Sequence, residues 1–290
     1  MYKPVKPPEH IDMDVRHLCY RLHCWGDRAA SPMILLHGWA DVGMSFQFLA
    51  DAMSDRWYLV APDWRGFGDS GWQPGGYWFP DYLADLEVMI DRISPDKPVR
   101  LVGHSMGGNI AWLYAGIRPD RVSHAVSLDL YGLPDSSPAE APAHYAEWLD
   151  QLKLGQAFSN YNDLSAVTGR IAGLAPRLER DKAEFLAGYW ANACADGTYQ
   201  LKHDPAHKRI NPVLYRREEV KSCWRQITAR TLLVLAAESM FHDKYYSQGH
   251  QTELKQCIRD YTEAIIPASG HMMHLEQPEA LARTLDIFLE

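Results

Sequence analysis

The stretch Leu101-Val102-Gly103-His104-Ser105-Met106-Gly107-Gly108-Asn109-Ile110 constrains the fold of this chain more than any other. Before it, Pro98-Val99-Arg100-Leu101-Val102 is apolar and β-branched, a short buried strand opened by a proline. After it, Asn109 to Ala115 places apolar residues at helical spacing. Between the two, Gly103-x-Ser105-x-Gly107 has to turn the chain directly from strand into helix. A turn this tight leaves no room for a Cβ two residues on either side of the serine, which accounts for the glycines. It also strains the serine and holds it at a helix N-terminus, where free N–H groups favour developing negative charge. Such a serine is a candidate nucleophile rather than a simple cap.

The rest of the chain supplies a setting for that turn. Residues 1–12 form a polar, Pro-rich arm, and Val15 to Trp25 alternates in strand fashion before Gly26-Asp27, which predicts a hairpin turning there. Pro32 to Leu36 and Trp57 to Ala61 are continuous apolar runs, the mark of strands buried on both faces. Ser45 to Met53 and Asp81 to Ile93 have helical periodicity. Val122 to Leu128 is another strand, ending at Asp129. Residues 132–227 then lack a convincing buried strand and carry helical segments rich in aromatics, among them Tyr145, Trp148, Phe158, Tyr161, Tyr189, Trp190 and Tyr199. Strands return at Thr231 to Ala236 and Ala264 to Ile266, with a helix over 245–257 between them and a closing helix from Pro278. Strands alternating with helices predict an α/β fold with a mostly parallel, doubly wound sheet. The core is then 1–131 and 228–290, and 132–227 is a helical cap above the carboxyl ends of the strands.

Composition narrows the class. A formal charge of −8 argues against nucleic acid or anionic membranes as partners. The five cysteines are odd in number and scattered, which suggests free thiols in a reducing compartment. No apolar run is long enough for a membrane span and the start lacks a signal-peptide core, so a cytoplasmic protein is expected. No Gly-rich segment forms a phosphate-binding loop, and His203-x-x-x-His207 is interrupted by Pro205, so this spacing is read as solvated loop. No cofactor and no metal are expected, and oligomeric state is left open.

Four segments together, His37-Gly38-Trp39, Asp63-x-Arg65-Gly66-x-Gly68-x-Ser70, the turn at 103–108 and Gly270-His271-x-x-His274-x-Glu276-x-Pro278, resemble the α/β-hydrolase superfamily in order and spacing. The resemblance is to its serine esterase-like branch with a helical cap, and it covers the core but not 132–227. It implies Ser105 as nucleophile and His271 as general base, with His274 as a residue that steadies the loop. It also implies the backbone N–H groups of Trp39 and Met106 as the oxyanion hole, with the Trp39 indole walling the substrate pocket. Asp63, Arg65 and Asp69 would order their loop through a salt bridge, and His104 and Asn109 would bond within the turn.

The acid departs from the common pattern. Ser239 stands where relatives usually carry Asp, and a serine cannot hold the negative charge that stabilises an imidazolium. Asp129, Glu238 and Asp243 are the substitutes, with Asp129 the expected acid and Glu238 its alternative. The function implied is hydrolysis of carboxylic esters or thioesters of a small-molecule acyl substrate through an acyl-enzyme. The alternatives are a C–C bond hydrolase of ring-cleavage products and a non-catalytic receptor. Acid groups on ring-cleavage products would need basic residues, for which Arg170, Arg177, Arg216 and Arg217 are available.

Overall fold

The computed structural model describes residues 2–154, 157 and 160–290. Phe158 lies outside the described residues. The chain runs β1 (Glu9–Val15), β2 (Leu18–Trp25), β3 (Ser31–Leu36), α1 (Gln47–Ala52), β4 (Trp57–Pro62), α2 (Phe79–Ile93), β5 (Val99–His104), α3 (Met106–Ile117) and β6 (Val122–Leu128). A middle segment follows with α4 (Ala141–Lys153), β7 (Asn160–Tyr161), α5 (Leu164–Leu174), α6 (Arg180–Trp190), β8 (Ala191–Ala193), β9 (Tyr199–Leu201) and α7 (Arg217–Trp224). It closes with β10 (Arg230–Ala236), α8 (Met240–Ser247), α9 (His250–Cys257), β11 (Tyr261–Ile266), α10 (Met273–Glu276) and α11 (Pro278–Phe288).

The main sheet has the order β1-β2-β4-β3-β5-β6-β10-β11. From β4 to β11 every pairing is parallel, and β1 and β2 add an antiparallel edge. The apolar runs are explained by two cores, one on each face. Met33, Leu35, Val102, Val126 and Val234 point to one face, where Phe48, Leu49, Leu281 and Leu285 cover them. Ile34, Leu36, Leu101, Ala125 and Leu233 point to the other, against Leu86, Ile90, Ile110 and Trp112. A strand's side chains alternate between faces, so burial on both sides removes the polar half of the pattern. Parallel order also brings the carboxyl ends of β3, β5, β6, β10 and β11 to one rim, where such sheets hold their ligands.

Three expectations need revision. The hairpin is β1 with β2, and it turns at Arg16-His17 rather than at Gly26-Asp27, with Arg16 at φ +56°. The strand Glu9–Val15 was hidden because its alternating residues are mostly polar on an exposed edge. The predicted helix over 245–257 is two helices, α8 and α9, divided where Gly249 takes φ +73°. The middle segment does contain strands, the antiparallel set β7-β9-β8, too short for a periodic signal. Among the described residues no helix is long and apolar enough to cross a membrane.

Candidate active site

Ser105 sits between β5 and α3 at φ 52° and ψ −116°, a backbone conformation that a non-glycine residue holds only when its surroundings impose it. Those surroundings are packed backbone. A Cβ on Gly103 would collide with the Gly107 carbonyl, and one on Gly107 with the Leu36 carbonyl. The serine N–H is bound to Leu128 O of β6 at 3.0 Å, which ties the turn to the next strand. Met106 is the first residue of α3, so its N–H has no acceptor within the helix. The His37-Gly38-Trp39 loop comes in from β3 to the same place. A Cβ on Gly38 would lie 3.2 Å from the Ser105 Cβ and 2.9 Å from His104 Nδ1, so only glycine lets the loop approach so closely.

Asp129 ends β6 at φ +57° and is fully buried. Its N–H binds Val234 O at 2.8 Å, its Oδ1 accepts from Ala236 N–H at 3.0 Å, and its Oδ2 accepts from His271 Nδ1 at 2.7 Å. The carboxylate thus reaches across the end of β10 to the loop after β11. His271 leaves about a third of its side chain exposed, and its ring packs at 5.1 Å from that of Phe241. Its backbone carbonyl accepts from His104 Nε2 at 2.8 Å. Burial, then the facing rings of His274 and His271, push His104 well below the ordinary histidine range, so it is neutral here. The loop is held from its other side by Glu276, which accepts from the Gly270 N–H at 2.6 Å.

The other acid candidates point elsewhere. Glu238 is half exposed and pairs with Arg177. Asp243 is 90% exposed and its nearest ionic partner is His242, at 3.4 Å. Ser239 caps α8, its Oγ accepting from Phe241 N–H at 3.1 Å. His274 is fully buried, packs its ring at a tilt against His104 at 4.4 Å, and has no hydrogen bond or ion pair with Asp129 among the described residues.

A cavity of about 210 Å³ opens beside this cluster, with Trp39 and Met106 in its wall. Tyr77, Trp78, Phe79 and Trp148 give it an aromatic lining, and Ile210 and Pro212 extend it. Trp39 is 54% exposed, so its indole is available to a ligand. Arg209 and His207 also line it. Arg209 was not singled out from sequence, and His207, read there as solvated loop, is corrected to a cavity-lining residue. Its ring stacks between Phe67 at 3.9 Å and Tyr77 at 3.6 Å, and burial lowers its pKa to about 3. Pro205 opens a short 3-10 helix, Pro205–Lys208, that Asp204 caps and that carries His207 inward. The arginines named from sequence do other work where partners are present, Arg177 with Glu238 and Arg217 with Glu253.

Two further expectations change. Arg65 pairs not with Asp63 or Asp69 but with Asp85 of α2, through Nε at 2.6 Å and Nη2 at 2.7 Å, all of it buried. Asp63 instead receives Gly43 N–H, Asp69 N–H and His23, and Asp69 pairs with Lys202. Asn109 accepts from Gly132 N–H at 2.9 Å, and His104 reaches the His271 loop, so both act between segments and not within the turn.

The chain resembles known hydrolases over most of its length. A serine hydrolase-like protein of Danio rerio is 26% identical over 274 residues, covering 92% of this chain and 83% of its own. The 2-(acetamidomethylene)succinate hydrolase of Mesorhizobium japonicum is 24% identical over 267 residues, covering 91% and 90%. The thioesterase domain from the curacin biosynthetic pathway superposes with a TM-score of 0.85 at 21% identity, covering 98% and 99%, and shows the fold. The family model for the alpha/beta hydrolase fold matches residues 31–278, and the chain belongs to that family.

Proposed function

We propose that this protein is a serine hydrolase that cleaves carboxylic esters or thioesters through an acyl-enzyme. The observation that carries the reading is the 2.7 Å bond from His271 Nδ1 to the buried Asp129 carboxylate, beside a serine held on a strained turn. In this mechanism Asp129 fixes the tautomer that leaves His271 Nε2 free to take the Ser105 proton. The alkoxide attacks the acyl carbon, and the tetrahedral oxyanion is held by the N–H groups of Met106 and Trp39. His271 returns the proton to the leaving alcohol or thiol, and water then repeats the sequence on the acyl-enzyme. The 132–227 segment acts as a cap that closes the cavity with Trp148, Ile210 and Pro212 over the aromatic wall of Tyr77, Trp78 and Phe79, holding the acyl group and excluding bulk water. A serine, not a carboxylate, at position 105 sets aside chemistry that runs through an alkyl-ester intermediate.

The names of relatives, a serine hydrolase-like protein and a thioesterase domain, support this reading. It is tested by fluorophosphonate labelling of wild type and Ser105→Ala, with p-nitrophenyl esters of graded chain length. Labelling that disappears with Ser105, together with turnover of short or aromatic acyl groups, is expected. A folded wild type that takes no label would refute it.

One observation favours a second reading, cleavage of an acid-bearing substrate such as a C–C bond in a ring-cleavage product. Arg209 lines the cavity and its buried Nε has no hydrogen-bond partner among the described residues. The relative that acts on a succinate derivative is consistent with such a cation. Esters whose acyl end bears a carboxylate discriminate the two, because Arg209→Gln should raise their KM and leave neutral esters unchanged. The receptor alternative loses its support, since it rested on a missing acid.

A further inference from the structure

Behind the candidate nucleophile, three side chains that the proposed reaction does not use converge on one buried point. Asp41 follows β3, His104 ends β5 and His274 lies in α10, and a ligand atom from each lies within 4.8 Å of the other two. The three residues are 3%, 2% and 0% exposed. Asp41 Oδ2, His104 Nδ1 and both ring nitrogens of His274 are buried without a hydrogen-bond partner among the described residues. Asp41 Oδ2 and His274 Nε2 approach only to 3.6 Å, beyond hydrogen-bonding distance. One unpaired buried polar atom costs about 1–3 kcal/mol, so three gathered at one point, one from each residue, call for a shared partner.

Their outer bonds define what that partner is. His104 Nε2–H donates to the His271 carbonyl at 2.8 Å, which leaves a lone pair on the inward Nδ1. Asp41 Oδ1 is occupied by Val42 N–H at 2.8 Å and by the Ser45 hydroxyl, which leaves Oδ2 inward. An imidazole anchored to a carbonyl and a carboxylate anchored by donors are the outer bonds that orient metal ligands. Bonds of about 2.1 Å to a tetrahedral ion place ligand atoms about 3.4 Å apart, close to the Asp41–His274 separation. Two imidazoles and one carboxylate suit Zn²⁺ and its first-row neighbours, whereas Mg²⁺ and Ca²⁺ prefer oxygen alone.

We propose that Asp41, His104 and His274 form a site for one divalent cation of the Zn²⁺ class. The site would clamp together the three segments that carry Trp39, Ser105 and His271. It goes beyond the proposed hydrolysis and does not depend on it.

The test is Zn²⁺ titration of the full chain after chelator treatment, by calorimetry and by Tm, with Mg²⁺ in parallel. One Zn²⁺ per chain, a Tm raised by several degrees, and no response to Mg²⁺ are expected. Binding should weaken at least tenfold in His274→Gln and in Asp41→Asn, and persist in His207→Gln. X-ray absorption on the loaded wild type should show nitrogen and oxygen ligands with imidazole scattering, which keeps the test decisive if a variant fails to fold. Sulfur scattering would assign the ion to one of the free cysteines and overturn the proposal. So would no uptake by wild type, or uptake unchanged in both ligand variants.

Discussion

Replacing Asp129 by Asn keeps the shape of the side chain and removes one acceptor. The buried carboxylate serves two donors, the Ala236 N–H at 3.0 Å and His271 Nδ1–H at 2.7 Å. An amide has one oxygen to offer, so one of the two donors must face an NH₂ group. The Ala236 N–H is fixed in the sheet, whereas His271 lies on a loop with a third of its side chain exposed. The oxygen therefore stays on Ala236, and the amide nitrogen forces His271 to present an acceptor at Nδ1. The proton moves to Nε2, and the histidine can no longer take one from Ser105. Loss of the tautomer together with the charge is worth about 10⁴-fold in kcat in the serine-protease precedent, or about 5.5 kcal/mol. For this protein a fall of about 10³- to 10⁴-fold in kcat is expected, with KM within about threefold. Steady-state p-nitrophenyl ester hydrolysis and the fluorophosphonate labelling rate measure it, with circular dichroism to establish folding. Glu238→Gln serves as control and should stay within about threefold, because Glu238 reaches Arg177 and not His271. A folded Asp129→Asn that retains more than a tenth of wild-type kcat would refute the assignment of the acid, as would an equal loss in Glu238→Gln.

Three other perturbations follow from the same structure. Adding Ser239→Asp to Asp129→Asn should recover at least tenfold in kcat, since Asp also caps a helix and would place a carboxylate at the end of β10, beside the His271 loop; no recovery would mean that residue 239 faces away from His271. Arg65→Met should cost about 3 kcal/mol in urea unfolding, because it removes the bidentate partner of the fully buried Asp85 and leaves that carboxylate only the Tyr20 hydroxyl and Arg16 Nη1 at 3.4 Å, and a loss under 1 kcal/mol would contradict that. His207 bears on acid stability: its folded pKa of about 3 lies below the unfolded value near 6.5, so the unfolded chain binds the extra proton between those limits. Its contribution is complete above pH 6.5 and is lost as pH falls toward 3, by up to about 1.4 kcal/mol per pH unit. His207→Gln should flatten the stability profile in that window, and an unchanged slope would show that the ring titrates normally.

The parts of the fold that could be read from residues are those where a single physical demand acts on a continuous stretch. Met33 to Leu36 and Leu232 to Ala236 are apolar throughout because both faces of the sheet are covered, and Gly103 and Gly107 are glycine because backbone lies where a Cβ would go. Where a residue's position is decided by a distant partner, the pattern fails. The edge strand Glu9–Val15 hides behind polar residues, and β7 to β9 are too short to show a period. Arg65 looked like a local loop residue, yet its carboxylate partner comes from α2. Arg209 carried no motif and the His203-His207 spacing read as solvated loop, and only the folding of 203–209 back over Phe67 and Tyr77 brings both residues to the cavity.

Asp129, the proposed acid, shows how a carboxylate can reach His271 from the strand beside β10. β6 and β10 are hydrogen-bonded side by side in parallel, with Leu128 opposite Val234, so their carboxyl ends reach the rim together. A side chain that leaves the end of either strand has the loop after β11 within range. At the end of β10 the chain goes straight into α8, and Ser239 spends its hydroxyl on the first turn of that helix. At the end of β6 the backbone instead swings through φ +57°, which turns Asp129 sideways over the end of β10 rather than onward along its own strand. The Ala236 N–H, left unpaired where β10 ends, then becomes the anchor that holds one carboxylate oxygen and aims the other at His271. The strained residue, the anchor and the missing acid at 239 are thus one arrangement: the sheet keeps a carboxylate at the histidine because adjacent parallel strands offer two places from which to deliver it.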